Sequence, residues 1–298
     1  MSAVSSSAHG YRSSSCTHAG TGGPCGFVKV GGVDVHLVDV GDGPAVVLVH
    51  GGQAWAYAWR NQVQPLLRAG YRVVVPDLPG SGYSGVDATD LSISSLSRCL
   101  ADLLNALGIE RAAFVASSEG GLPVLDLAIR QPERVRALVL ASTCGVPHAL
   151  PPLWRLVIRP PLLGEIAGLL LGPRLVRENL EQAFHSSALV TAEMVDAYLK
   201  PLRRPGVWAA QLRMERCSRP AFVEANLERI SAPAIVVWGE NDRWHPVAMA
   251  REFGRQLSAA RVEVLTACGH LPHEERPDDF NRLLLNFLAT TGDPPGTH

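Results

Sequence analysis

Three residues in this 298-residue sequence have the types and the chain order that nucleophilic catalysis requires. Ser118, Asp242 and His270 each follow closely on an apolar run that predicts a buried strand. A serine hydroxyl attacks a carbonyl group only when a base such as an imidazole takes its proton, and a carboxylate can hold that imidazole in one tautomer. We therefore predict Ser118 as the nucleophile, His270 as its base and Asp242 as the acid that orients the histidine.

The segment around Ser118 predicts a sharp turn from a strand into a helix. Ala116 and Gly120 stand two positions on either side of the serine, in a variant of the G-x-S-x-G pattern that has alanine in place of the first glycine. Both positions must be small because the strand and the helix nearly touch there. A serine between small residues is often a simple helix cap, so the prediction also depends on Asp242 and His270.

Glu119, directly after the serine, has two roles to consider. Its backbone N–H is in the position of an oxyanion donor, which stabilises the negative charge that forms on an attacked carbonyl oxygen. Its carboxylate falls in the first turn of the predicted helix, where the helix dipole favours a negative charge. The alternative is that this carboxylate lies near the substrate and disfavours anionic substrates.

The elements that must position these residues alternate between strand and helix. Continuous apolar runs predict buried strands, and apolar residues at helical spacing predict the helices between them. Such alternation predicts an α/β fold with a mostly parallel central sheet and helices on both faces. A hairpin is predicted at 27–30 and 33–40, and the buried strands are predicted at 45–49, 71–75, 112–115, 135–142, 234–238 and 262–265.

The alternation is interrupted in the middle of the chain. Residues 146–230 begin with a proline-rich stretch and continue as predicted helices. We predict a helical cap there, inserted over the carboxyl edge of the sheet, where the catalytic groups of such folds gather. The core of the fold would then comprise residues 27–145 and 231–298. Residues 1–26 are rich in serine and glycine and are predicted to form a disordered tail.

The bulk composition argues against several classes of function. A formal net charge of −1 gives no reason to expect a nucleic acid or an anionic membrane as a partner. No apolar run is long enough to span a bilayer, and no secretory signal is evident. The six cysteines are scattered and include no C-x-x-C pair, so we predict no metal, and no cofactor is expected either. Several of them lie in apolar surroundings, which predicts buried thiols in a cytoplasmic protein. We expect a small-molecule substrate, and the oligomeric state is left open.

Five motifs spread over residues 27–290 resemble those of the α/β-hydrolase superfamily. They are His50-Gly51-Gly52, the turn from Asp77 to Ser84, the turn at Ser118, Gly239-Glu240-Asn241-Asp242 and Gly269-His270. The resemblance implies a Ser-His-Asp hydrolase with a helical cap. It also implies a second oxyanion donor, at the backbone N–H of Gly52 or of the neighbouring Gln53. Haloalkane dehalogenases and epoxide hydrolases are similar in these motifs but use an aspartate nucleophile.

The resemblance leaves the reaction open. We predict a serine hydrolase that acts through an acyl-enzyme on a small, lipophilic ester or a related acyl substrate. The alternative is a C–C bond hydrolase of meta-cleavage type, although those enzymes carry tryptophan after the histidine where this chain has Leu271. The same scaffold also supports acyltransferases, lyases, cyclases and ligand receptors.

The substrate pocket is predicted from only a few residues. Trp55, Trp244 and Leu271 are candidates because they lie near the catalytic residues in the sequence, although aromatic residues near a helix start, such as Trp55, are usually part of the core. The apolar stretch 162–171 in the cap either packs on the sheet or lines the cavity. In the second case it predicts a lipophilic substrate.

Overall fold

One twisted sheet forms the centre of the protein. The computed structural model describes residues 12–16, 23–146, 168 and 171–291. In chain order, its strands are β1 (Arg12–Cys16), β2 (Cys25–Val30), β3 (Val33–Val40), β4 (Ala45–Val49), β5 (Arg72–Pro76), β6 (Ala112–Ser117), β7 (Val135–Ala141), β8 (Ala234–Gly239) and β9 (Ala260–Leu265). Their order across the sheet is β1-β2-β3-β5-β4-β6-β7-β8-β9.

The sheet is antiparallel at one edge and parallel through the rest. β1, β2, β3 and β5 pair in antiparallel fashion, whereas β5, β4, β6, β7, β8 and β9 pair in parallel. Every residue of β4, β6, β7 and β8 is buried, as continuous apolar runs predict for strands covered on both faces. The predicted α/β architecture with a mostly parallel sheet is confirmed.

Helices cover both faces of this sheet. One core cluster includes Leu100, Phe253 and Val47, and a second includes Leu66 and Val46. Val46 and Val47 join opposite clusters because successive side chains of a strand point to opposite faces. The helices are α1 (Arg60–Arg68), α2 (Ile93–Ala106), α3 (Gly121–Arg130), α4 (Pro173–Ala183), α5 (Ala192–Leu202), α6 (Val207–Cys217), α7 (Ala221–Glu224), α8 (Ala248–Gln256), α9 (Pro272–Glu275) and α10 (Pro277–Thr290).

Helices make up most of the described chain between β7 and β8. Residues 171–230 contain α4, α5, α6 and α7 with short 3-10 turns, and we refer to residues 171–230 as the cap. Val176 and Leu180 of α4 and Leu199 of α5 pack in the same cluster as α1 and α10. Of the apolar stretch predicted at 162–171, only residues 168 and 171 lie within the described residues.

The N-terminal region differs from the predicted disordered tail over 1–26. Arg12–Cys16 forms the edge strand β1 and pairs with β2, which already begins at Cys25. A short polar strand is held by backbone hydrogen bonds to its neighbour, and these leave little trace in composition. Cys25 is disulfide-bonded, in contrast to the predicted buried thiols. The remainder of the predicted tail, 1–11 and 17–22, lies outside the described residues.

Within the described ranges, no helix combines the length and the apolar character needed to cross a bilayer.

Candidate active site

Ser118 occupies a strained position at the end of β6. The strand ends at Ser117, a 3-10 turn spans Ser118–Gly120, and α3 begins at the next residue. Ser118 has φ of 50°, in the left-handed region that L-residues rarely adopt. Its carbonyl oxygen accepts hydrogen bonds from Thr143 Oγ1 at 2.9 Å and from Cys144 N at 3.0 Å. These bonds from the segment after β7 hold the strained turn in place.

The small residues beside the serine are required by close packing. A Cβ added at Gly120 would collide with the carbonyl group of His50, and one added at Gly51 would lie 3.0 Å from Ser118 Cβ. Ala116 is fully buried within β6, where a methyl group still fits. The loop that begins at His50 therefore lies directly against the serine, which is the arrangement that an oxyanion site needs.

The structure brings Ser118, His270 and Asp242 together in one hydrogen-bonded chain. His270 Nδ1 donates to Asp242 Oδ2 at 2.8 Å, and Ser118 Oγ lies 3.0 Å from His270 Nε2. With Nδ1–H given to the carboxylate, the lone pair on Nε2 faces the serine hydroxyl. An imidazole in this tautomer has the geometry to accept a proton from a serine hydroxyl.

Asp242 is held ionised by the loop that follows β8. Its Oδ1 atom accepts the backbone N–H groups of Trp244 and His245, each at 2.9 Å. Burial alone would raise the pKa of Asp242. The hydrogen bond and the charge interaction with His270 outweigh burial, the N–H of His245 adds to them, and the pKa is lowered. The side chain therefore stays a carboxylate at neutral pH.

The loop after β9 places His270, and the cap contributes to holding it. The backbone N–H of His270 donates to the carbonyl oxygen of Ala183 in α4 at 2.6 Å. The ring of His245 meets the His270 ring edge to face at 4.7 Å, and the Trp244 ring lies 4.8 Å from it. The imidazole is thus enclosed by aromatic rings and connected to the cap.

Glu119 points its carboxyl group across the loop of residues 50–53, which we call the oxyanion loop because it holds the predicted donors Gly52 and Gln53. A Cβ added at Gly52 would collide with this carboxyl group. Glu119 is hydrogen-bonded to Glu215 of α6, and both line a cavity behind the loop. Burial first, and then the charge and hydrogen bond of Glu215, raise the pKa of Glu119 well above its ordinary value.

A second cavity opens beside Ser118 and His270. Helices α4 and α5 of the cap contribute Val176, Leu180 and Leu202 to its wall. Trp244 and Leu271, both predicted as pocket residues, line it as well. A mostly apolar cleft that meets a nucleophile and its base has the form of a substrate pocket.

Trp55 does not line this cavity, so its predicted pocket position is wrong. Its side chain is only 3% exposed, and its Nε1–H donates to the carbonyl oxygen of Ala197 in α5 at 2.9 Å. The ring also stacks on Tyr57 at 5.8 Å and meets Tyr83 edge to face at 5.1 Å. The prediction relied on the position of Trp55 close to the oxyanion loop in the sequence. In the structure, Trp55 precedes the 3-10 turn Ala56–Trp59 and its indole contacts the cap.

Other residues of the site were missed because they act through contacts with segments that are distant in the sequence. Gln211 of α6 and Asn179 of α4 both contact Gln53 in the oxyanion loop. Glu275 accepts hydrogen bonds from Gly269 N at 2.6 Å, as well as from two backbone N–H groups of the cap. An isolated glutamine or glutamate on a predicted helix carries no signal of such contacts, since these depend on how the cap docks.

Asp242, His245 and His270 each present one potential metal ligand atom, all within 4.8 Å of one another. Hydrogen bonds already engage them: His270 Nδ1 binds Asp242 at 2.8 Å, and His245 Nδ1 lies 2.9 Å from the carbonyl oxygen of Ser142. Among the described residues this is the only such group found. Its geometry fits proton transfer to and from Ser118 better than metal binding.

Comparisons with known proteins agree with this geometry. Residues 46–283 match the sequence profile of the Alpha/beta hydrolase family. The chain is 30% identical over 264 residues to a 2-hydroxy-6-oxo-6-phenylhexa-2,4-dienoate hydrolase from Comamonas testosteroni, which covers 85% of this chain and 91% of that protein.

Solved structures show the same fold. A mutant of the meta-cleavage product hydrolase from Pseudomonas fluorescens IP01 superposes with a TM-score of 0.79 at 25% identity, covering 89% of this chain and 98% of the other. The 2-hydroxy-6-oxo-6-phenylhexa-2,4-dienoate hydrolase from Rhodococcus sp. strain RHA1 gives a TM-score of 0.75 at 28% identity, covering 89% and 100%. The profile match spans more than half of the chain, and the chain therefore belongs to the alpha/beta hydrolase family.

Proposed function

We propose that this protein is a serine hydrolase that cleaves a carbon–carbon bond next to a ketone in a 2-hydroxy-6-oxo-dienoate. The observation that carries the proposal is the chain of hydrogen bonds Asp242–His270–Ser118, at 2.8 and 3.0 Å. The kind of bond is taken from the relatives, which are named as hydrolases of such dienoates. The sequence motifs alone favoured ester hydrolysis. The relatives support the carbon–carbon cleavage instead.

Ser118 attacks the ketone carbon, and His270 takes the hydroxyl proton as the new bond forms. Asp242 stabilises the imidazolium that results, because its lowered pKa keeps the carboxylate ionised. The left-handed backbone at Ser118 presents the hydroxyl group towards His270. Water then releases the acyl group in a second round of the same proton transfers.

The backbone N–H groups of Glu119 and Gly52 are the proposed oxyanion donors. Gln53 was the neighbouring candidate, but its N–H already donates to Gln211 Oε1 at 3.0 Å. The contact of Gly51 with Ser118 brings the loop close enough for Gly52 to face the same oxygen as Glu119. Losing one oxyanion donor typically costs about 3–4 kcal/mol of barrier.

A carbon leaving group adds a requirement that an ester does not have. The bond from the attacked carbon, C6, to C5 breaks only if the electron pair passes into a conjugated carbonyl group, so the dienol must first take its 2-keto form. The leaving group departs as a dienolate whose oxygen takes a proton, and His270 is placed to return the one it received from Ser118. The net reaction consumes water and yields a carboxylic acid and a 2-hydroxypenta-2,4-dienoate.

Ester hydrolysis is the second candidate, and the lining of the cavity beside Ser118 and His270 favours it. Within the described ranges, no lysine or arginine lines this cavity. A dienoate carries a carboxylate that benefits from a positive partner, whereas a neutral lipophilic ester does not. Val176, Leu180 and Leu202 suit an apolar acyl group in either case.

One pair of assays separates the two reactions. The protein is incubated with 2-hydroxy-6-oxo-6-phenylhexa-2,4-dienoate, with release of benzoate as the readout, and with p-nitrophenyl butyrate, with release of p-nitrophenol as the readout. We expect kcat/KM to be at least tenfold higher for the dienoate, and Ser118→Ala to abolish both reactions. Turnover of the ester alone would support the second candidate, and full activity of Ser118→Ala would contradict the proposed site.

A cytoplasmic location and a small-molecule substrate belong to the same proposal. The free thiols of Cys99, Cys144, Cys217 and Cys268 fit a reducing compartment, whereas the disulfide at Cys25 does not. Mass analysis of the protein from its native cells, alkylated before and after reduction, measures the state of Cys25. An oxidised Cys25 in freshly lysed cells would contradict the cytoplasmic assignment.

A further inference from the structure

Gln53 of the oxyanion loop has a backbone conformation that its residue type does not favour. Its φ is 55°, in the left-handed region, although it carries a side chain. It directly follows Gly52, the proposed oxyanion donor. A change of backbone angles at Gln53 moves the peptide units of the loop, including the N–H that faces the attacked carbonyl oxygen. The conformation of Gln53 therefore matters for the geometry of the oxyanion site.

The cap holds Gln53 from two helices. The backbone N–H of Gln53 donates to Oε1 of Gln211 in α6 at 3.0 Å. Its side-chain Oε1 accepts from Nδ2 of Asn179 in α4 at 3.4 Å. The first contact fixes the peptide group and the second fixes the side chain, so both ends of the residue depend on the docked cap.

Gln211 is itself fixed in orientation by the core. Its Nε2 group donates to the carbonyl oxygen of Gly80 at 2.9 Å and lies 2.7 Å from Ser81 Oγ. The side chain is buried, and both of its amide ends are used. With Nε2 bound to these acceptors, Oε1 must face Gln53. A buried amide held in this way selects one backbone conformation of its partner.

We propose that Gln211 is a positioning residue that couples docking of the cap to assembly of the oxyanion site, with Asn179 as its auxiliary. The inference rests on the proposed hydrolytic function, because it assigns a role in stabilising the oxyanion. When the cap is docked, Gln211 holds Gln53 in the left-handed conformation and thereby places the N–H of Gly52. When the cap is displaced, Gln53 relaxes and the donor moves away.

The principal test is Gln211→Met, which keeps the length of the side chain and removes its hydrogen bonds. The substrate is whichever of the two assay substrates the wild-type protein turns over. We expect kcat to fall roughly 10- to 100-fold, short of the loss of a whole donor, and KM to change less than threefold. The affinity for a boronic acid that mimics the tetrahedral intermediate should fall by the same factor as kcat/KM. An unchanged kcat would overturn the proposal.

A control variant separates this role from ordinary attachment of the cap. Arg213→Met removes a hydrogen bond of 2.9 Å from the same helix to the carbonyl oxygen of Val86 and touches neither Gln211 nor Gln53. We expect kcat of Arg213→Met within threefold of wild type, and a loss equal to that of Gln211→Met would overturn the specific role of Gln211.

A second substitution tests the mechanism even if Gln211→Met is poorly stable. Glycine adopts positive φ without a steric penalty. The double variant Gln211→Met with Gln53→Gly should therefore have a kcat at least threefold higher than that of Gln211→Met alone. Asn179→Ala should lower kcat by a smaller factor than Gln211→Met. Asn179 is not fully buried, so this variant does not depend on a substitution in the core. No rescue by Gln53→Gly, or no loss in Asn179→Ala, would overturn the coupling through Gln53. If the wild-type protein hydrolyses neither substrate, the proposed function itself has failed.

Discussion

The carboxyl groups of Glu119 and Glu215 share a hydrogen bond that joins the turn at Ser118 to helix α6 of the cap. Burial first, and Glu215 second, raise the pKa of Glu119 well above its ordinary value of 4.5. Two carboxyl groups in contact cannot both ionise without strong repulsion. Glu119 therefore holds a proton at a pH where an isolated glutamate would be charged, and the helix dipole is not the main influence on it.

Glu119→Gln should stabilise the protein at alkaline pH and leave it nearly unchanged at acidic pH. Because the folded-state pKa is raised, Glu119 contributes favourably below the unfolded pKa near 4.5, and this contribution is lost as pH rises through the folded pKa. Glutamine keeps the hydrogen bond to Glu215 without a titrating proton. We expect the melting temperature to rise by roughly 2–4 °C at pH 8 relative to wild type, and by less than about 1 °C at pH 4.

The control for this prediction is Glu240→Gln, which changes an exposed glutamate outside the site. Its difference from wild type should not grow between pH 4 and pH 8. Thermal scans at several pH values provide the measurement. A stabilisation by Glu119→Gln that is the same at every pH would mean that Glu119 is not protonated in the folded protein.

Asp242→Asn should remove most of the activity while the protein stays folded. The asparagine amide would favour the wrong tautomer of His270, and such a change lowers kcat by roughly 10³–10⁴-fold in a serine–histidine–aspartate site. Steady-state kinetics on the better substrate, with a thermal scan to check folding, measure this effect. A loss smaller than tenfold in a folded variant would exclude Asp242 as the orienting acid.

Glu275 should prove necessary for both stability and catalysis. Its carboxylate accepts N–H groups from Gly269 at 2.6 Å, from His185 at 3.0 Å and from Ser186 at 2.8 Å, and so joins the loop of His270 to the cap. Glu275→Ala leaves these donors without their acceptor, at a cost of about 1–3 kcal/mol for each buried donor.

We expect a clear fall in the free energy of unfolding of Glu275→Ala, measured in urea, and a lower kcat because His270 is less well placed. Asp278→Asn, an exposed acid on the following helix, is the matched control and should change neither quantity. Equal stability of Glu275→Ala and wild type would contradict the role of this carboxylate.

The two tryptophans predicted to form the pocket should respond differently to substitution. Trp55→Phe loses the hydrogen bond to Ala197 and should lower the free energy of unfolding by about 1 kcal/mol, with KM within threefold of wild type. Trp244 is 39% exposed and lines the cavity, so Trp244→Ala should raise KM with little effect on folding. The two sets of kinetics, measured side by side, check the corrected pocket, and a larger KM effect for Trp55→Phe would contradict it.

The sheet and the hydrogen-bonded chain Asp242–His270–Ser118 were predictable because local patterns determine them. The strand-length apolar runs of β4, β6, β7 and β8 follow from burial on both faces. Ser118, Asp242 and His270 follow from their positions just beyond strand ends, which a parallel sheet brings to one edge.

Features that depend on docking between distant segments were not predictable. Gln211 and Glu275 act through contacts with backbone groups far away in the sequence, and neither residue type marks such a contact. Trp55 was misplaced for the same reason, since its partner Ala197 lies in the cap. The polar edge strand Arg12–Cys16 has no apolar pattern in its sequence that would predict its pairing with β2.

The most direct test of the central claim is to react the protein with a fluorophosphonate and locate the adduct by peptide mass spectrometry. We expect a single adduct on Ser118 Oγ, formed at a rate that falls at least 10³-fold in His270→Ala, because no base then accepts the serine proton. Labelling of another residue, or a rate that does not depend on His270, would contradict the assignment of Ser118 and His270 as nucleophile and base.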